Sequence, residues 1–110
     1  MTNNKEHFWK YNEGQILKEI EEYLIGTYNQ HYVGDNGVQA MDLISSIGDG
    51  VPFSRSSIIK YASRYGKKNG LSKTDCLKII HFAIFLYHFS GHDKPNSENY
   101  ETFSWNNRHP

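Results

Sequence analysis

The sequence is short of nearly everything that advertises a function. It holds one cysteine, Cys76, in 110 residues. A single thiol makes no internal disulfide and supplies no cysteine-rich zinc site. That points to a reducing, cytoplasmic setting. Net charge is also absent: 12 Lys and Arg balance 12 Asp and Glu. A chain basic all over, built to coat nucleic acid, is excluded, and so is an acidic mimic of DNA. No N-terminal stretch has the apolar run of a signal peptide. The longest apolar-rich run, residues 76–89, is interrupted by Lys78, His81 and His88 and is too short to span a bilayer. Apolar residues make up 37%, below the usual share, but aromatics reach 15%. Each ring buries a large area, so the chain can still fold. Part of that aromatic surface is expected to meet a partner subunit or ligand.

The length fits one domain. We divide it into an N-terminal arm (1–12), a helical core (13–92) and a C-terminal arm (93–110). Phe8, Trp9 and Tyr11 in the first arm and Tyr100, Phe103 and Trp105 in the second read as rings that dock on the body. Alternation at 100–105 also leaves room for a minor β pair made by the two arms.

Four helices are expected in the core. Ile16, Leu17, Ile20, Leu24 and Tyr28 recur at helical spacing over 13–28. After the turn residues 33–37 a short helix covers 39–47, and Gly48, Gly50 and Pro52 form a loop. Ser54 is a plausible N-cap for a third helix running to Tyr65 or Lys67. Ser72-Lys73-Thr74-Asp75 resembles a capping box with Asp at the fourth place, opening a helix that Gly91 closes. This last helix is apolar almost all round and must be covered on several sides. The expected fold is therefore a mainly α, compact four-helix domain assembled as a homo-oligomer through that helix. Cys76, in its first turn, reads as a buried, inert thiol.

Charge is unevenly placed. Seven of the 12 cations lie between Arg55 and Lys78, opposed only by Asp75, a net +6 in 24 residues. Lys60, Arg64 and Lys67 or Lys68 fall on one helical face. Arg presents a planar fork to phosphate oxygens and Lys a mobile point charge. Such a stripe suits a small phosphorylated ligand; a solvated face or pairing with the glutamates of the first helix is the competing reading.

The segment 29–88 resembles the SaV-like family of small phage proteins, which includes a coliphage nucleotide kinase lacking a P-loop. The resemblance runs through His31-Tyr32, the stretch from Gly37 to Ile44, Phe53, Ile58-Ile59-Lys60-Tyr61, Arg64, Gly66-Lys67-Lys68, Asp75 and Leu77-Lys78. Ser56 and Ser57 stand where the family usually has Gly-Asn. The resemblance implies a phage protein in an infected bacterial cell with a nucleotide-like phosphorylated ligand. It places the binding residues at His31, Tyr32, Gln39, Asp42, Lys60, Tyr61, Arg64, Lys67 and Lys68. Lys and Arg would hold phosphates, Tyr32, Tyr61 or Phe82 would stack on a base, and Gln39 and Asp42 would read base or sugar.

Two uses of the ligand remain. Phosphoryl transfer would need ATP and Mg²⁺ on carboxylates. The chain has no GxxxxGK[ST] run, and its acids near the motif are Asp42 and Asp75. Sequestration needs binding alone and no cofactor, and would suit a phage protein that soaks up nucleotide second messengers of bacterial immunity. We expect sequestration first and a nucleoside monophosphate kinase as the alternative. Duplex DNA binding through a helix-turn-helix is the third reading; the loose 48–52 connection and zero net charge count against it. His81, His88 and His92 lack an HExxH context, so hydrogen bonding rather than metal binding is expected of them. No metal site, membrane contact or nucleic-acid partner is expected.

Overall fold

A computed structural model describes residues 8–31 and 40–95. These hold four helices: α1 (Glu13–His31), α2 (Ala40–Ser46), α3 (Gly50–Arg64) and α4 (Lys73–Phe89). The mainly α expectation holds. Of the two arms proposed for a β pair, residues 1–7 and 96–110, with Tyr100, Phe103 and Trp105, lie outside the described residues, and no strand forms in the described 8–12 and 93–95. The backbone divides into two compact units, Met1–Gly37 and Val38–Pro110.

In the first unit, α1 starts where expected and runs three residues beyond Tyr28. Asn12 sits in the left-handed region at φ 64°, and its carbonyl accepts from the Ile16 amide at 3.0 Å. Glu13 turns its carboxylate back to accept from the Tyr11 amide at 2.9 Å. A β-carbon on Gly14 would stand 3.3 Å from the Trp9 ring, so Trp9 rests on the first turn of α1. Phe8 and Tyr11, by contrast, are exposed rather than docked.

The second unit is built on α3 and α4, with α2 against α3. The α2–α3 connection corrects the expected loop. Only residues 47–49 separate the helices. Gly48, at φ 88°, closes α2: its amide donates to the Ser45 carbonyl, and the Asp49 amide donates to the Ile44 carbonyl, each at 3.0 Å. This pair of bonds is the Schellman closure. Ser54 is not the N-cap of α3 but lies inside it. Pro52 is tolerated in the first turn because an amide there lacks an intrahelical acceptor anyway. The Ser54 hydroxyl donates back to the Gly50 carbonyl at 2.7 Å and is fully buried.

Helices α3 and α4 run antiparallel, since Gly50 meets Phe89 at one end and Arg64 meets Asp75 at the other. Gly50, Ser54 and Ser57 are the buried residues of α3. These small side chains leave room for the rings of α4. Phe82 meets Phe53 edge-on at 5.8 Å and lies parallel to Tyr61 at 6.0 Å. Phe85 stacks on the buried His81 at 4.5 Å. Burial holds the His81 imidazole below its usual 6.5, and the charge of Lys78 adds to the effect.

Helix α4 begins and ends as expected. The Ser72 hydroxyl accepts from the Asp75 amide at 3.1 Å. Gly91, at φ 85°, repeats the closure seen at Gly48: its amide donates to His88 at 2.9 Å and the His92 amide to Tyr87 at 3.2 Å. The Tyr87 and His92 rings meet at 5.2 Å, the side-chain contact that accompanies such an ending. The burial of Cys76 is corrected: the thiol is exposed. One residue past Asp75 is about 100° further round a helix of 3.6 residues per turn, away from the face that meets α3.

No apolar side chain among the described residues is fully buried. In the second unit Ile47, Ile59, Leu71 and Tyr87 are all more than half exposed. No helix among the described residues is long and apolar enough to cross a membrane.

Candidate functional site: a basic cluster around Tyr61

All the cations of the +6 segment except Arg55, which lies near the start of α3, fall in the half of the α3–α4 pair away from Gly50 or in the turn joining the two helices. Its organising contact is Arg64 with Asp75. Arg64 Nη2 donates to Asp75 Oδ1 at 2.9 Å and Nε to Oδ2 at 3.1 Å. Both carboxylate oxygens are thus engaged by one planar fork, the strongest geometry such a pair offers. Asp75 is 1% exposed and Arg64 33%. The hydrogen bonds from Arg64 hold the Asp75 carboxyl below its usual 3.8 against the opposing effect of burial; the charges of Arg64, Lys78 and Lys68 add to them. The same hydrogen bonds to Asp75 raise the Arg64 guanidinium above its usual value.

This modifies the expected capping box. Ser72 caps Asp75 as a box requires, but the reciprocal bond is not made. The Ser72 amide donates to the Gly70 carbonyl at 2.9 Å, and the Asp75 carboxylate is committed to Arg64. Asp75 is therefore a structural anchor, and Arg64 is its partner.

Tyr61 stands at the centre of the remaining cations. The Lys60 ammonium and the Arg64 guanidinium each lie 5.2 Å from its ring centroid. The Lys78 ammonium, coming from α4, lies 5.8 Å away. These are cation–π distances. Phe82 takes the parallel contact with the same ring. Tyr61 is thus occupied by protein groups, which leaves its proposed stacking on a base with less open ring than the sequence suggested.

Lys60, Tyr61 and Arg64 are brought together by α3, as expected. Lys67 and Lys68 are exposed but lie beyond the end of α3, in the turn, and do not continue its helical stripe. The chain leaves the helix at Tyr65, whose ψ of 131° is extended, and Gly66 follows at φ 85°. Asp42 lies in α2, exposed. His31 ends α1 in the first unit; Tyr32 and Gln39 lie outside the described residues. Lys78 joins the cluster although sequence spacing within α3 did not select it. Its signal was present: it stands three residues after Asp75, one turn along α4 on the same face. His88 Nδ1 lies 2.9 Å from Asp93 Oδ2, a contact near the end of α4 rather than a metal pairing with His92. Among the described residues no three His, Cys, Asp or Glu side chains group as metal ligands would.

The fold and cluster together define a small α-helical protein whose antiparallel helix pair carries concentrated positive charge at one end. Residues 26–83, which include the cluster and both of its helices in large part, match the family described as "Protein of unknown function (DUF3310)". This is more than half of the chain, and the protein belongs to that family. No curated protein and no solved structure matches it.

Proposed function

We propose that the protein binds a nucleotide-like phosphorylated small molecule at the Tyr61 cluster and sequesters it. The observation that carries the reading is the charge around Tyr61. Three cations from two helices surround one ring, and the acid beside them, Asp75, is spent on Arg64. The surplus is positive and local, which attracts a small anion more than a polymer.

Binding without turnover is favoured over phosphoryl transfer for the same reason. A kinase needs carboxylates to hold Mg²⁺, and Asp75 is hydrogen-bonded through both oxygens to Arg64. The resemblance to SaV-like phage proteins supplies a setting, the infected bacterial cytoplasm, and a ligand class, a nucleotide second messenger of host defence. The same resemblance keeps a nucleoside monophosphate kinase using ATP and Mg²⁺ as the alternative. A homo-oligomer is part of the proposal, supported by the exposed apolar side chains of the second unit.

The three-residue turn between α2 and α3 removes the loop-length objection to DNA binding. Arg55 and Lys60 are nevertheless the only cations on the exposed surface of α3, a thin set for a duplex backbone.

The test is to incubate the protein with a nucleotide panel, remove unbound ligand, denature it and assay what is released. Intact nucleotide recovered from the denatured protein supports sequestration. Phosphoryl transfer from ATP to a nucleoside monophosphate selects the kinase. Duplex DNA binding that weakens steeply with salt would select the third reading. Absence of nucleotide binding at micromolar protein would reject sequestration and kinase together.

A further inference from the structure

Helix α4 has a second face that α3 does not cover. Asp75, Phe82 and Phe89, each seven residues from the next, meet Arg64, the rings of Phe53 and Tyr61, and Gly50 on α3. Cys76, Ile80, Ala83 and Tyr87 lie about 100–160° further round the helix. Their steps of four, three and four residues are the spacing of a helix-to-helix seam. Cys76 and Ala83 are exposed, Ile80 is half-buried, Tyr87 is 57% exposed and Ile84, beside them, 41%. No charged residue stands on this line between Lys73, at its start, and the end of the helix at Phe89.

We infer that this face is the seam of a two-fold homodimer, in which α4 packs antiparallel on α4 of a second copy, Cys76 against Tyr87 and Ile80 against Ala83. The inference rests on the homo-oligomer reading above and gives it an interface, a direction and a register. Side-chain size selects a second copy as the occupant. The four residues alternate small and large along the line, and a two-fold axis between positions 81 and 82 sets each small one opposite a large one. Shifting the register by a heptad step leaves part of the line unmatched. Charge selects the direction. Lys67, Lys68 and Lys73 are exposed at and just before the start of α4. Parallel pairing would bring two such groups together, whereas antiparallel pairing sends them to opposite ends. There Lys73 of each copy lies beside the C-terminal end of the other α4, the negative end of its dipole. Asp93, 47% exposed, follows that end in sequence.

The experiment is sedimentation velocity on the full chain over a concentration series, in which the parent should form a dimer. Ala83→Glu sets two like charges about 4.5 Å apart along the axis at the centre of the seam. It should weaken dimerisation about a hundredfold or more. Circular dichroism should show unchanged helix, because position 83 is exposed in the single chain and glutamate is a good helix former. Ala83→Lys should dissociate the dimer in the same way, and an equimolar mixture of the two variants should dimerise again. Direction is read with a short bis-maleimide. The Cys76 thiols of the two copies stand about 16 Å apart along the axis, so the parent should not cross-link. Cys76→Ser combined with Ala83→Cys, which brings two thiols near the two-fold axis, should. Cross-linking of the parent through Cys76, or none in the Ala83→Cys variant, overturns the antiparallel register. An assembly that persists in Ala83→Glu, or a mixture that stays monomeric, overturns the seam while leaving a homo-oligomer in place. A monomeric parent overturns both.

Discussion

Gly50→Ala should destabilise the protein, although it replaces a helical glycine by the best helix former. The added methyl would lie 2.9 Å from Phe89 Cγ, 3.1 Å from Cδ2 and 3.2 Å from Cδ1. Those are the root of the ring, not its tip, so the side chain cannot swing aside without moving on α4. Gly50 is also buried. Alanine recovers about 1 kcal/mol of helix propensity at most, and less in a first turn. Overpacking a closed contact costs about 1–3 kcal/mol. The net expectation is a loss of roughly 1–2 kcal/mol. For a domain near this size each kcal/mol moves the midpoint by about 4 °C or more, so a thermal melt followed by circular dichroism should resolve it. The second half of the test is Phe89→Leu, which opens space beside Gly50. In that background Gly50→Ala should become neutral or stabilising, giving a coupling energy of about 1 kcal/mol or more between the two positions. A Gly50→Ala protein as stable as the parent, or one with the same effect in both backgrounds, would refute the close approach of α3 and α4 at this end.

Other outcomes follow from the helix ends and the titrating groups. Ser72→Ala should cost about 1 kcal/mol by removing the acceptor for the Asp75 amide, read as a lower melting midpoint. Asp75 has a depressed folded pKa, so its contribution is complete above the usual 3.8 and is lost as pH falls through the lower folded value. Asp75→Asn should therefore lower stability at neutral pH and remove that acid-limb loss in a pH series of denaturant melts. His81 acts in a higher window: its folded pKa is also depressed, so stability is full above about 6.5 and declines as pH drops below it. His81→Phe should flatten the curve between the usual imidazole and carboxylate ranges. Cys76, exposed in the single chain, should react with a maleimide as fast in dilute folded protein as in a denatured control, and more slowly at concentrations where α4 pairs with α4 of a second copy. Arg64→Ala is expected to disturb the fold as well as any ligand, since it leaves a buried carboxylate without its fork, so Lys60→Gln is the cleaner probe of binding.

The sequence by itself determined the helices and most of their ends. Apolar spacing marked α1, Ser72 marked the start of α4, and Gly91 marked its close, because a cap hydroxyl and a positive-φ glycine act on backbone within a few residues. It also determined that positive charge gathers in residues 55–78. Where local signals competed, tertiary packing decided. Ser54 looked like a cap, but its hydroxyl serves the Gly50 carbonyl inside a helix that starts a turn earlier. Asp75 looked like half of a capping box, but its carboxylate found a better partner in Arg64, 11 residues away. The basic stripe read on one helix became a cluster spanning two, losing Lys67 and Lys68 to the turn and gaining Lys78. Spacing along one chain segment reports which side chains share a helical face. Which cations are neutralised, and which are not, depends on what the opposite helix presents, and only the closed α3–α4 pair supplies that.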